Sequence, residues 1–140
     1  MNYFSLCNGI PLHVADEGKG DNVILFLHGY LETLYIWEDF TRLFGPEYRV
    51  ISIDLPGHGL SGSHPQVNSL SFCAAAINQL MDKLNIGKFT IAGHSMGGYV
   101  AVQYASEFYE RLKSLVLIHS VPFADTEQKK NEREAEIKII

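Results

Sequence analysis

Four near-continuous apolar runs recur along the chain: Val23-Ile-Leu-Phe-Leu27, Val50-Ile-Ser-Ile53, Phe89-Thr-Ile-Ala92 and Leu115-Val-Leu-Ile118. Such runs do not alternate with polar residues, so they fit strands buried on both faces of a parallel sheet rather than strands with one wet face. Between them lie segments of helical period. The clearest places Leu70, Cys73, Ile77, Leu80 or Met81, and Leu84 on one face, with Asn68 or Ser69 as cap and Asn85-Ile86-Gly87 as stop. Strand and helix therefore alternate, which predicts an α/β fold with a doubly wound, mostly parallel sheet. The start of the chain differs. Tyr3 to Cys7 and Ile10 to Ala15 are short β-like runs joined by Asn8-Gly9, so an N-terminal antiparallel hairpin is expected to lead into the sheet.

The tail changes character after Pro122. Asp125 to Ile140 holds nine charged residues among sixteen, with Asp125 and Gln128 spaced as a capping box, and this predicts a surface helix. Glu134 and Lys138 are placed to pair at i,i+4, and Ile137 with Ile140 begins an apolar stripe that has no continuation. The chain reads as stopping inside an element. Tyr35, Trp37 and Phe40 are spaced as the apolar face of a further helix, packed on the core.

Composition removes several classes of function. No unbroken apolar stretch, Val23 to Leu27 included, comes near the roughly 18 residues a membrane span needs, and the first residues lack a basic head and apolar run. No membrane or secretory role is expected. Eleven basic residues against 16 acidic ones give a net charge of −5, with no basic stripe, which argues against nucleic acid as a partner. Cys7 and Cys73 fit no metal or CxxC spacing and lie among apolar neighbours. They read as reduced core thiols of a cytoplasmic protein.

The most informative segment is Gly93-His94-Ser95-Met96-Gly97, a GxSxG that stands where a strand runs into a helix. A turn this sharp holds the serine in a strained conformation, and side chains at 93 and 97 would collide with neighbouring backbone. Ser95 is thus the candidate nucleophile. The Met96 backbone N–H, at the positive end of the following helix, is the candidate donor to an oxyanion.

With that turn in view, the chain resembles the α/β-hydrolase family through three motifs in the family's order. Leu27-His28-Gly29-Tyr30 follows the first long strand, where the family places its oxyanion loop, and the resemblance makes the Tyr30 backbone N–H the second oxyanion donor. Asp54-Leu-Pro-Gly-His-Gly-Leu-Ser61 looks like the family's DxxGxGxS loop, a structural turn near the active-site mouth. The third motif is the elbow, GHSMGG, in the form common among esterases, lactonases and carbon–carbon bond hydrolases. Because position 95 is Ser rather than Asp, the resemblance points away from epoxide hydrolase and haloalkane dehalogenase chemistry.

Two other glycine patterns are misleading. Gly57 to Gly62 spells GxGxxG, with Asp82 at a suggestive distance, but Ser63-His64-Pro65 opens no helix. Gly93 to Gly98 has the glycine spacing of a P-loop, yet Tyr99 stands where the phosphate-binding Lys must be.

A serine hydroxyl needs a His base and an acid that orients it. By resemblance the acid follows the strand after the one ending at Ile118 and the His follows the last strand, so both fall after the end of this sequence. His119 is the one His downstream of Ser95, but the family does not put its base there, and a structural or cap-contacting role is its reading. Asp125 is explained by N-capping the tail helix. His28, His58 and His94 fall in loops and read as hydrogen-bonded scaffolding, while His13 and His64 are expected to face solvent without a metal cluster.

The resemblance therefore implies a serine hydrolase acting on a small-molecule carbonyl substrate, an ester, thioester, lactone or activated C–C bond, through an acyl-enzyme on Ser95. No metal or organic cofactor is implied. Residues 1–122 would form the N-terminal part of the core and 123–140 the start of a helical cap. This polypeptide alone is expected to be nearly inert, lacking the triad acid and His. Leu115 to Ile118 would be an unpaired edge, so self-association, element swapping or aggregation of the isolated chain is expected. The competing readings are a non-catalytic binding or interaction module and one half of a split enzyme.

Overall fold

The structure, a computed structural model, describes residues 1–139. It is a mixed six-stranded sheet flanked by helices, as the alternation of apolar runs predicts. In chain order the strands are β1 (Asn2–Cys7), β2 (Ile10–Gly18), β3 (Asn22–Leu27), β4 (Tyr48–Ile53), β5 (Phe89–His94) and β6 (Leu112–Ile118). Their order across the sheet is β1-β2-β4-β3-β5-β6. β1 and β2 form the antiparallel hairpin, closed by Asn8 and Gly9 at φ 49° and 82°. Both central turn residues thus have the positive φ that the tightest hairpin turns require. β2 is also antiparallel to β4, and from β4 onward every pairing is parallel.

Alternate residues of the central strands feed two cores. On one face Leu25, Leu27, Ile51, Ile53 and Ile91 pack beneath α1 (Leu70–Lys83) and α2 (Met96–Phe108), which bury Cys73, Ile77, Leu80, Val100 and Tyr104. On the other, Phe26, Val50 and Ala92 meet Trp37 and Phe44. Burying each of these large side chains stabilises the fold by about 1.5–3 kcal/mol, which is why the runs show no alternation. Ser69 caps α1 by accepting from the Phe72 N–H at 3.1 Å. Both thiols, Cys7 and Cys73, are unpaired and buried. No helix among the described residues is long and apolar enough to cross a membrane.

Four expectations are corrected. The segment holding Tyr35, Trp37 and Phe40 is a 3-10 turn (Leu34–Trp37) followed by one short helical turn (Glu38–Thr41), and of the three only Trp37 is buried, stacked 4.8 Å from Phe26. His13 is not solvent-facing. It is buried in β2 with its Nδ1 2.8 Å from Asp54 Oδ2, because that carboxylate, also buried, gathers donors from Leu34 N–H and Leu60 N–H. The tail helix, α3 (Glu127–Ile137), is capped by Thr126 rather than Asp125. The ion pairs within it are Lys130–Glu127 and Lys129–Glu132, not Glu134–Lys138, since Lys138 already terminates the helix. The expected stripe partner Ile140 lies outside the described residues.

Candidate active site

β5 delivers Ser95 at its carboxyl end, and α2 begins at the next residue. Ser95 has φ 50° and ψ −114°, a conformation that costs an L-residue about 1–3 kcal/mol and persists only where its surroundings dictate it. Those surroundings are backbone. A Cβ on Gly93 would run into the Gly97 carbonyl, and one on Gly97 would sit 2.5 Å from the His28 carbonyl oxygen. The Ser95 N–H donates to the Ile118 carbonyl at 3.0 Å, and the Ser95 carbonyl accepts from the Gly98 N–H and the Ser120 hydroxyl at 3.0 and 2.9 Å. Edge strand and helix together hold the strained residue.

The loop after β3 approaches this turn closely. A Cβ on Gly29 would lie 3.2 Å from Ser95 Cβ, so glycine is what permits the contact. His28 is fully buried. Its Nε2 accepts from the Leu55 N–H at 2.9 Å, which leaves the proton on Nδ1, and Nδ1 donates to the Gly29 carbonyl at 2.7 Å. Burial lowers the His28 pKa, with the Gly29 hydrogen bond opposing it, and keeps the ring in that neutral tautomer. A trans peptide is rigid and its N–H points opposite to its C=O. By drawing the Gly29 carbonyl towards itself, His28 therefore aims the Tyr30 N–H the other way. Among the described residues neither the Tyr30 nor the Met96 backbone N–H has a protein acceptor.

A carboxylate that carries no motif of its own completes the arrangement. Glu32 Oε2 accepts from the Gly29 N–H at 2.6 Å and lies 2.9 Å from His94 Nδ1. Burial pushes its pKa up, but the hydrogen bonds from His94 and Gly29 outweigh this and hold it below the ordinary value. Sequence reading missed Glu32. Its only signal is a Glu three residues after Gly29, and its second partner is 62 residues away.

His119, at φ 46°, faces His94 with ring centroids 6.2 Å apart, and among the described residues no His is hydrogen-bonded to the Ser95 hydroxyl. Asp125 is engaged elsewhere. It accepts from the Tyr99 hydroxyl at 2.7 Å and from Arg133 Nε at 2.6 Å, tying the start of α3 to α2. Beside this latch an open hollow of about 350 Å³ is lined by Leu70, Met96, Tyr99, Ala124 and Arg133. A larger cleft of about 970 Å³, bounded by Asp21, Arg49, Asn85 and Lys88, lies at the opposite ends of β3 and β5 and is remote from Ser95. Asp82 pairs with Arg111 from within α1, so it does not stand at a strand end as the acid of a dinucleotide site would. Among the described residues no group of three or more His, Cys, Asp or Glu side chains is placed to hold a metal ion.

Compared with known proteins, residues 22–135 match a family profile described as the alpha/beta hydrolase fold. The chain is 37% identical over 114 residues to 2-hydroxy-6-oxononadienedioate/2-hydroxy-6-oxononatrienedioate hydrolase of Escherichia coli (strain K12), covering 78% of this chain and 40% of that protein. It is 33% identical over 115 residues to epoxide hydrolase 4 of Mus musculus, covering 80% and 32% respectively. A malate-bound thermophilic esterase from Thermogutta terrifontis superposes with a TM-score of 0.86 at 29% identity, over 99% of this chain and 53% of that one. The chain thus spans between 32% and 40% of the length of these two curated relatives.

Proposed function

This chain belongs to the α/β-hydrolase fold family, and from that premise we propose that it supplies the nucleophile and oxyanion hole of a serine hydrolase acting on an ester, thioester, lactone or activated C–C bond. Ser95 Oγ attacks the substrate carbonyl, and the Tyr30 and Met96 N–H groups receive the charge that develops on its oxygen. Collapse expels the leaving group and leaves an acyl-Ser95 ester, which water hydrolyses. The His that takes and returns the proton, and the acid that orients it, are assigned to sequence beyond these 140 residues, so the chain is read as part of a larger hydrolase. Residues 123–140 are read as the first turns of a cap over the pocket. A hydroxyl nucleophile needs an acyl group to form its ester. The epoxide chemistry in the name of the mouse relative is therefore not carried over.

The observation that supports this reading is the left-handed backbone of Ser95, imposed by contacts that would be pointless strain at a structural serine. The two buried unpaired thiols fit a reducing compartment, and the cytoplasm is the location assigned.

The test is labelling of the full-length protein by a serine-directed alkyl phosphonate. One adduct at Ser95, absent in Ser95→Ala together with turnover of p-nitrophenyl esters, is the expected result. The unaccompanied Ser95 hydroxyl also suits a non-catalytic interaction module or half of a split enzyme. The first predicts no labelling at any length, and the second predicts a co-purifying chain that restores it.

A further inference from the structure

We propose that Glu32 is a positioning residue: its ionised carboxylate clamps the oxyanion loop onto the nucleophile turn by serving as shared acceptor for the Gly29 N–H and the His94 Nδ1–H. The catalytic consequence rests on the hydrolase reading above; the clamp itself does not.

The geometry is that of a bridge between two chain segments. Gly29 and Glu32 belong to the loop after β3, whereas His94 is the last residue of β5 and precedes Ser95. One oxygen, Oε2, is 2.6 Å from the Gly29 nitrogen and 2.9 Å from His94 Nδ1. A carboxylate only accepts, so both nitrogens donate, and the His94 proton is fixed on Nδ1. Hydrogen bonds to a charged acceptor are about twice as strong as neutral ones, and the pair is only about 30% exposed. The Glu32 N–H in turn reaches the Gly29 carbonyl at 3.3 Å, beside the 2.7 Å bond from His28. Gly29 is therefore held on both sides, its amide by Glu32 and its carbonyl by His28 and Glu32. The next N–H along the chain is that of Tyr30.

Two features separate this contact from a surface ion pair. Its partners flank Ser95, since a Cβ at Gly29 would meet Glu32 Oε2 at 2.8 Å, His94 Nδ1 at 3.0 Å and Ser95 Cβ at 3.2 Å. It also joins the two halves of the oxyanion hole, Tyr30 from the loop and Met96 from the turn, whose separation must suit one oxygen atom. Such a bridge affects turnover more than substrate binding, because the oxyanion exists only in the transition state.

The test uses the full-length protein. In the wild type, the Gly29 amide proton shift should follow the acid titration of the Glu32 carboxylate by NMR. In Glu32→Gln, exchange of the Gly29 amide should quicken at least about tenfold. The value of kcat for p-nitrophenyl acetate, per site titrated by phosphonate, should fall roughly 10- to 100-fold with KM within about twofold. A Gly29 shift that ignores Glu32 titration overturns the clamp, and that measurement needs no variant to fold. Unchanged kcat per site alongside faster exchange overturns the positioning role. If Ser95→Ala retains full turnover, the hydrolase reading fails, and the Gly29 measurements then uphold or overturn the clamp by themselves.

Discussion

The Ser120 hydroxyl donates to the Ser95 carbonyl at 2.9 Å, so the residue two positions past the edge strand fastens the strained turn from behind. Gly98 leaves room for it, as a Cβ there would collide with Ser120 Oγ. Ser120→Ala removes one of the two partners of that carbonyl and keeps the Gly98 N–H. The expected loss is about 1 kcal/mol, or roughly 3 °C in Tm, with phosphonate labelling of Ser95 in the full-length protein slowed several-fold. A melting curve unchanged within a degree would contradict the role.

Gly93→Ala tests the turn from the strand side. The added methyl meets the Gly97 carbonyl, and neither strand nor helix can yield without breaking its ladder. Destabilisation of about 3 kcal/mol or more is expected, measured by urea unfolding. Gly87→Ala is the control, because a Cβ there meets nothing within 4 Å and its φ is not positive.

His28→Ala should cost more than an ordinary cavity. It strands the buried Leu55 N–H and leaves the Gly29 carbonyl with only the 3.3 Å bond from the Glu32 N–H, so a loss of about 2–4 kcal/mol is expected from calorimetry. A loss below about 1 kcal/mol would mean that the ring does not orient the peptide.

The strands and the nucleophile turn were legible because both are local. An apolar run buried on two faces, or a glycine whose Cβ would strike the next turn, is written in consecutive residues. What escaped depends on pairings across the fold. His13 reads as exposed until Asp54, 41 residues on, is placed beside it. Asp125 reads as a cap because Thr126 offers the same chemistry one residue later, and only the positions of Tyr99 and Arg133 decide between them. Glu32 is silent for the same reason, its second ligand coming from another strand.

Alkaline conditions should weaken the fold through two buried acids. Burial pushes the Cys73 thiol up to about 11 and the Tyr104 hydroxyl up to about 12, from ordinary values of 9.0 and 10.0. With folded values above unfolded ones, the unfolded chain loses these protons first. Stability is therefore complete below about pH 9 and declines as pH rises towards 11 and 12, by up to about 2–3 kcal/mol for each group. Urea midpoints at pH 8, 9.5 and 10.5 check this, and Cys73→Ala should flatten the first part of the decline. Equal midpoints at all three values would contradict it.

The 140-residue polypeptide should also self-associate through β6. Among the described residues that strand is paired on one side only, with β5, and Leu115 and Val116 are 37% and 42% exposed although they point to opposite faces. An uncovered edge of this length presents unpaired N–H and C=O groups beside apolar side chains, a template for a second copy. At the far side of the sheet β1 adds exposed Phe4 and Leu6, so contacts between unlike edges would build open-ended assemblies rather than closed dimers. Light scattering at micromolar concentration should show species heavier than the 15.7 kDa chain. Val116→Lys places a charge on the edge and should shift the distribution towards monomer without lowering Tm by more than about 2 °C. A monodisperse monomer before substitution would show that the edge is already protected by its own twist and by Lys113.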